Sequence, residues 1–322
     1  MALNIGNLIA VLGMDKKGFD KGIKEADEKT EGFAAGFGEK LSKLKVPIAA
    51  VGAAVAAIGT AAILAADDMN KAYNNIRVGS GATGEALEVL KGDFDAVFGT
   101  VPADAAEVST AIADLNTRLE LTGEPLQDMA TRFLELSRIT GTDVGKNIAG
   151  VTRALANWGV AGEDQADTLD YLFRTSQSTG IGVDRLSDLS TKYGSTLRGL
   201  GYDLETSTAL LGKFEKEGVN TEAALAGMKQ AVARLAGMGI DDPIEAWDML
   251  ADQIKGASTE LEAVSIASEL FGDRAAAEMA SAIRDGNLDL ADFVDTLNAS
   301  EETILGAADD AMTLGDRMAI LK

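Results

Sequence analysis

The residue types that carry most enzymatic chemistry are missing from this chain, whose 322 residues include no histidine and no cysteine. That removes the commonest general base, imidazole metal ligands, Ser-His-Asp catalysis, thiolate sites and cysteine nucleophiles together. What remains is oxygen chemistry and glycine loops. Gly79-Ser-Gly81-Ala-Thr-Gly84 matches the spacing of a dinucleotide loop, in which glycines allow a tight turn and close approach to a pyrophosphate. Such a loop follows a strand inside a βαβ unit, whereas Asp67 to Val78 reads as helix. The stretch is therefore expected to join two helices. Asp285-Gly-Asn-Leu-Asp289 gathers oxygens but lacks the alternating register and terminal bidentate acid of a calcium loop, so it reads as a turn and helix cap. The acidic pairs Asp67-Asp68, Asp241-Asp242 and Asp309-Asp310 are sequence neighbours, which do not face each other on a helix and so make poor acid/base dyads. Carboxylates alone could serve a glycosidase, but no nucleophile and base constellation assembles. Trp158 and Trp247 read as core or interface anchors. No catalytic, cofactor-binding or metal residue is nominated, and no small-molecule substrate is expected.

The elements that would position any such residues are helices. Only four prolines interrupt a chain rich in Ala, Leu, Glu, Asp, Lys and Gly, and aromatics make up 5%, which favours helix over strand and a shallow core of small side chains. The formal net charge of −22 opposes binding to a phosphate backbone and argues against sequence-specific nucleic-acid contacts. The same acidity keeps an alanine-rich protein in solution.

Four stretches are expected in order. Residues 1–45 form an arm, with Ile5 to Leu12 suited to a short strand, followed by a charged helix over Phe19 to Lys45 whose apolar positions Phe19, Ile23, Ala26, Phe33, Phe37, Leu41 and Leu44 track one face. The arm lacks a basic leader, so no secretory layout is read from it. Residues 46–66, VPIAAVGAAVAAIGTAAILAA, contain no charge. As a helix from Pro47 they would reach about 30 Å, the hydrocarbon thickness of a bilayer, although alanine contributes little to insertion. Gly52, Ala56 and Gly59 lie on one small face of that helix, suited to close approach by a second helix in lipid or in an oligomer.

Residues 67–298 read as an array of short helices. Starts are expected at Thr83, Asp104, Pro125, Thr142-Asp143, Asp184, Asp203, Thr221 and Asp242-Pro243, with a capping box from Thr259 to Glu262. Left-handed stops are expected at Gly99, Gly123, Gly141, Gly159, Gly180, Gly201, Gly218, Gly239, Gly256 and Gly286. No fixed repeat and no sustained heptad runs through them. Residues 299–322 read as the start of a further helix, uncapped at Lys322, as though the chain continued. The fold class is thus all-α: short antiparallel helices with one long alanine-rich helix near the N-terminus.

Leu270 to Leu297, LFGDRAAAEMASAIRDGNLDLADFVDTL, resembles the core of bacteriophage tail tape-measure proteins, in which a phenylalanine-glycine-arginine type turn separates two helices. Gly218 to Ala236, Leu200-Gly201-Tyr202, Ile139 to Trp158 and Asp167 to Gly180 are similar to that family's successive alanine-rich helices, in the same order. Asp67-Asp68-Met69 departs from the phenylalanine-glutamate pair found in many relatives. The resemblance covers about Asp67 to Leu297. It implies a structural, non-enzymatic virion component that fills the tail-tube lumen during assembly in the host cytoplasm and sets tail length. It also implies contacts with itself and with tail-tube and tail-tip proteins, and, through residues 46–66, with the host membrane as the genome is ejected. A glycine-punctuated array is far shorter than the roughly 480 Å that 322 residues would span as one helix, so the measuring portion must lie elsewhere. The alternative reading is a membrane-active helical toxin or pore former built around the same apolar stretch.

Overall fold

The computed structural model describes residues 67–320 apart from 237, 238, 240 and 241. The N-terminal arm, the charged helix over 19–45 and the apolar stretch 46–66 with Gly52, Ala56 and Gly59 lie outside the described residues. Asn70 to Lys322 belong to one compact unit.

The described chain is all-α, with no strand. Residues 67–80 form α1. It is followed by α2 (Gly84–Phe98), α3 (Ala105–Leu119), α4 (Glu124–Thr140), α5 (Val144–Trp158), α6 (Gln165–Thr179), α7 (Val183–Gly199) and α8 (Leu204–Lys216). Then come α9 (Thr221–Ala236), α10 (Pro243–Lys255), α11 (Glu260–Phe271), α12 (Ala276–Arg284), α13 (Leu290–Ala299), α14 (Ile304–Asp310) and α15 (Leu314–Ile320). Within 299–322, expected as the start of one further helix, the described residues 300–320 carry two short ones.

Local chemistry sets most boundaries. Asp104 accepts from the Glu107 amide at 2.8 Å while Glu107 reaches back to the Asp104 amide, a reciprocal cap on α3. Asp143, Asp203 and Asp242 cap α5, α8 and α10 through the amide three residues on. Two expected starts shift. Asn220, not Thr221, caps α9 by accepting from Ala223, and α7 begins at Val183 after Gly182 rather than at Asp184. The Thr259 box is split: its hydroxyl accepts from the Glu262 amide, but Glu262 returns to Ser258 instead.

Among the expected stops, Gly141, Gly159, Gly180, Gly201, Gly218, Gly239 and Gly286 are left-handed. Gly99 remains right-handed, and Gly256 has no positive φ. Gly123 has positive φ but precedes α4 instead of ending α3. The left-handed residue that ends α3 is Glu120, at φ 56°.

The helices pack as a running array. Helix α3 packs on α2, α4 and α5; α5 packs on α7, α7 on α8, and α8 on α6 and α13, while α9 to α12 form a second group. The core is better anchored than the composition suggests, because the few large side chains are used inside it: Phe94, Phe133, Phe214, Trp247 and Phe271 are fully buried. At the C-terminal end the Trp247 ring lies 6.1 Å from Phe214 and 6.2 Å from Phe271, and its indole N–H donates to the Leu288 carbonyl at 3.2 Å. Between the larger groups run small polar seams. The buried hydroxyls of Thr152, Thr175, Thr179, Ser187 and Thr208 each donate to the carbonyl four residues back, so they are satisfied within their own helices.

Candidate functional site

The sequence elements with apparent chemistry resolve into structural roles. Gly79 lies in the last turn of α1, Gly81 in the three-residue link and Gly84 at the start of α2, and none follows a strand. Gly79 sits where a Cβ would come within 2.9 Å of the Ala113 Cβ, so it brings α1 close to α3. Asp285 ends α12 and Asp289 precedes α13. Asp242 is a cap, and Asp309 and Asp310 are exposed at the end of α14. Trp158 is half-buried; its N–H donates to the Ser190 carbonyl at 3.0 Å, and the Arg198 guanidinium sits 4.8 Å above its ring. Among the described residues no cluster of acidic side chains has the arrangement of a metal site. No described helix is long and apolar enough to cross a membrane.

The most constrained place is the turn Phe271-Gly272-Asp273-Arg274, where α11 ends against α9. A Cβ on Gly227 would stand 2.1 Å from the Phe271 Cα and 2.6 Å from its carbonyl carbon, so backbone meets backbone and only glycine fits. Gly272 follows with φ 81° and ψ 158°, a conformation essentially restricted to glycine. The Ser268 hydroxyl bonds to Asp273 across the turn. Beside the contact opens a cleft of about 610 Å³ between the two helices. It is lined by Ala223, Ala226 and Gly227 together with the charged Glu222, Glu269 and Arg274. The turn was visible in the sequence; its partner Gly227 was not, because nothing local distinguishes that glycine from the others in a glycine-rich chain.

A second set of charged groups is buried between helices. Asp93, 3% exposed, accepts from the Gly123 amide at 3.0 Å and the Gln127 side chain at 2.7 Å; a carboxylate of α2 thereby caps α4, where the helix dipole favours negative charge. Asp170 on α6 is equally buried and pairs with Arg132 on α4, which also bonds Asp128. Among the phenols, Tyr73 is pushed up to about 12, by burial first and then by its 2.7 Å bond to Asp95. Burial, followed by the Glu205 and Asp203 charges, pushes Tyr171 well above the usual phenol value. Burial, then the Asp203 charge, raises Glu205.

These features describe a helical scaffold held by caps, small-residue seams and interhelical carboxylates. The model of the phage-related minor tail protein family matches residues 92–283, from within α2 to the last turn of α12. That is more than half of the chain, which therefore belongs to this family of tail proteins. The match includes the Phe271–Arg274 turn, Gly227 and the Asp93 cap. No curated protein and no solved structure matches the chain.

Proposed function

We propose that this chain is the N-terminal and core region of a tail tape-measure protein, a structural component that organises assembly and length of the tail tube. The observation that carries the reading is the family match over residues 92–283, which coincides with most of the stretch whose helix order and Phe-Gly-Asp-Arg turn resemble tape-measure cores. In this reading the array is not the ruler itself. It is a compact module that contacts tail-tube and tail-tip proteins and further copies of itself within the tail lumen, and it performs no catalysis. The test is genetic: residues 70–322 are deleted in frame in the phage, and tails are measured by electron microscopy. Missing tails, or tails of irregular length, are expected; normal tails of uniform native length would remove the proposal.

The uncharged stretch Val46 to Ala66 supports a further step, in which Gly52, Ala56 and Gly59 form a helix-association face at the host membrane during genome delivery. Liposome flotation of the chain with and without residues 46–66 checks it. Flotation of the intact chain alone is expected, and flotation of neither form excludes the membrane step.

A further inference from the structure

The segment after α13 is fastened to helices far back in the sequence. It returns to α4 and α6, more than 120 residues back in sequence, and is held there chiefly by polar contacts. Arg174 donates to the Glu302 carbonyl at 3.0 Å, and the buried Asp170 accepts from the Ile304 amide at 3.0 Å. Arg138 donates to the Ala308 carbonyl at 2.8 Å, to Asp316 at 3.3 Å and to its own-helix neighbour Glu135 at 2.6 Å. The apolar part of the joint is small: Ile304 and Ala308 are its only fully buried side chains, and α15 buries none.

The segment also carries its own ends. Thr303 caps α14 by accepting from the Gly306 amide. Thr313 and Asp316 cap α15 reciprocally, the Asp316 amide donating to the Thr313 hydroxyl and the Thr313 amide to the Asp316 carboxylate. Its link to α13 is the extended residue Ser300 with its three successors, outside any helix. Every receiving residue, Arg138, Asp170 and Arg174, lies inside the family-matched residues 92–283, and the whole segment lies outside them.

We infer that residues 302–320 form a releasable strap, which leaves the α4/α6 face as one unit while the preceding helices stay folded. Few apolar contacts, a handful of polar fastenings and a short hinge are the features of a segment whose opening costs much less than global unfolding. Release bares the Ile304 seat and frees the Asp170 oxygen that accepts the Ile304 amide. The inference is independent of the tape-measure reading.

Native-state hydrogen exchange on the whole chain tests it. Amides of Ala307 and Ala308 should exchange at least tenfold faster than those of α4 and α6, which have the same kind of helical bonds, and the Ile304 amide, bonded to Asp170, should exchange with them. Arg138→Ala should speed strap exchange a further tenfold and leave α8 unchanged. Arg138→Lys, which keeps the charge but not the forked contacts, should fall between the two. Exchange of the strap at the rate of α4 and α6 in the wild type would overturn the inference. So would an Arg138→Ala effect spread evenly over all helices, which would mean that the strap and the core open together.

Discussion

Replacing Gly227 by alanine tests the backbone contact at the α9/α11 crossing most directly. The new Cβ would lie 2.1 Å from the Phe271 Cα, whereas carbons pack at about 3.5–4.0 Å, so the two segments must part by roughly 1.5 Å. Both sides are backbone, and no rotamer change relieves the clash. Phe271 cannot move alone, because its ring packs 6.2 Å from Trp247 in the C-terminal core. Overpacking of this kind costs about 3 kcal/mol, the upper end for inserted methyl groups. Alanine's better helix propensity returns about 1 kcal/mol. The net loss of about 2 kcal/mol corresponds to a fall in melting temperature of roughly 4–8 °C for a unit of this size. Gly92 is the internal control: it lies inside α2, is exposed, and a Cβ there meets nothing within 4 Å. Gly92→Ala should therefore raise stability by about 0.5–1 kcal/mol. Thermal unfolding followed by circular dichroism and tryptophan fluorescence reads both. A Gly227→Ala variant that melts at or above the wild-type temperature would refute the reasoning, because the same substitution must act with opposite sign at the two sites.

Three further outcomes follow. Asp93→Ala leaves the Gly123 amide and the Gln127 side chain without their acceptor in a buried place and should cost about 2–3 kcal/mol in urea unfolding; Asp93→Asn, which presents a donor to at least one of two donors, should recover only part of it. Tyr73, held up to about 12, should stay un-ionised past the ordinary phenol range, so Tyr73→Phe should remove part of the late rise in tyrosinate absorbance, the rest coming from Tyr171 and Tyr202, which burial also raises. Because the folded state resists ionisation that the unfolded chain undergoes near 10, stability should fall as the pH rises from 10 towards 12. Asp316 is held below its usual value by the Thr313 backbone and side-chain bonds first and, less strongly, by Arg138. Its contribution is present above the ordinary carboxylate value of 3.8 and is lost as the pH falls below it. Acidification through that range should loosen α15, with Glu135 and Arg138 the charged neighbours on the receiving helix, and exchange at Asp316 and Arg317 reads the loosening.

The parts of this molecule that were legible in the sequence are those decided within four residues. Asp104, Asp143, Asp203 and Asp242 cap helices because a short carboxylate reaches an amide three positions on, and left-handed glycines end them because no Cβ obstructs the turn. The same reasoning slipped where two neighbours compete for a cap, as Asn220 and Thr221 do, and it had no means of foreseeing Glu120 in a left-handed turn. What decides the site lies far apart in sequence. Gly227 meets Phe271, Asp93 reaches Gly123, and Arg138 reaches Ala308; none of these pairs leaves a periodic or compositional trace. The Phe271–Arg274 turn was recognisable only through likeness to a family, and the family match then extended over the helices that hold it.

The hydroxyl seams have a consequence for how this protein comes apart. Thr152, Thr175, Thr179, Ser187 and Thr208 carry their hydrogen bonds on their own helices, so parting one helix from the next strands none of those five donors. Between helices the seams add one hydroxyl pair, Ser190 with Thr208 at 3.0 Å. Along these seams, pulling the chain from its ends works against contact between smooth small side chains and meets few interlocked groups. Each of these five hydroxyls keeps its partner when its helix lifts away, whereas the buried carboxylates of Asp93 and Asp170 lose theirs.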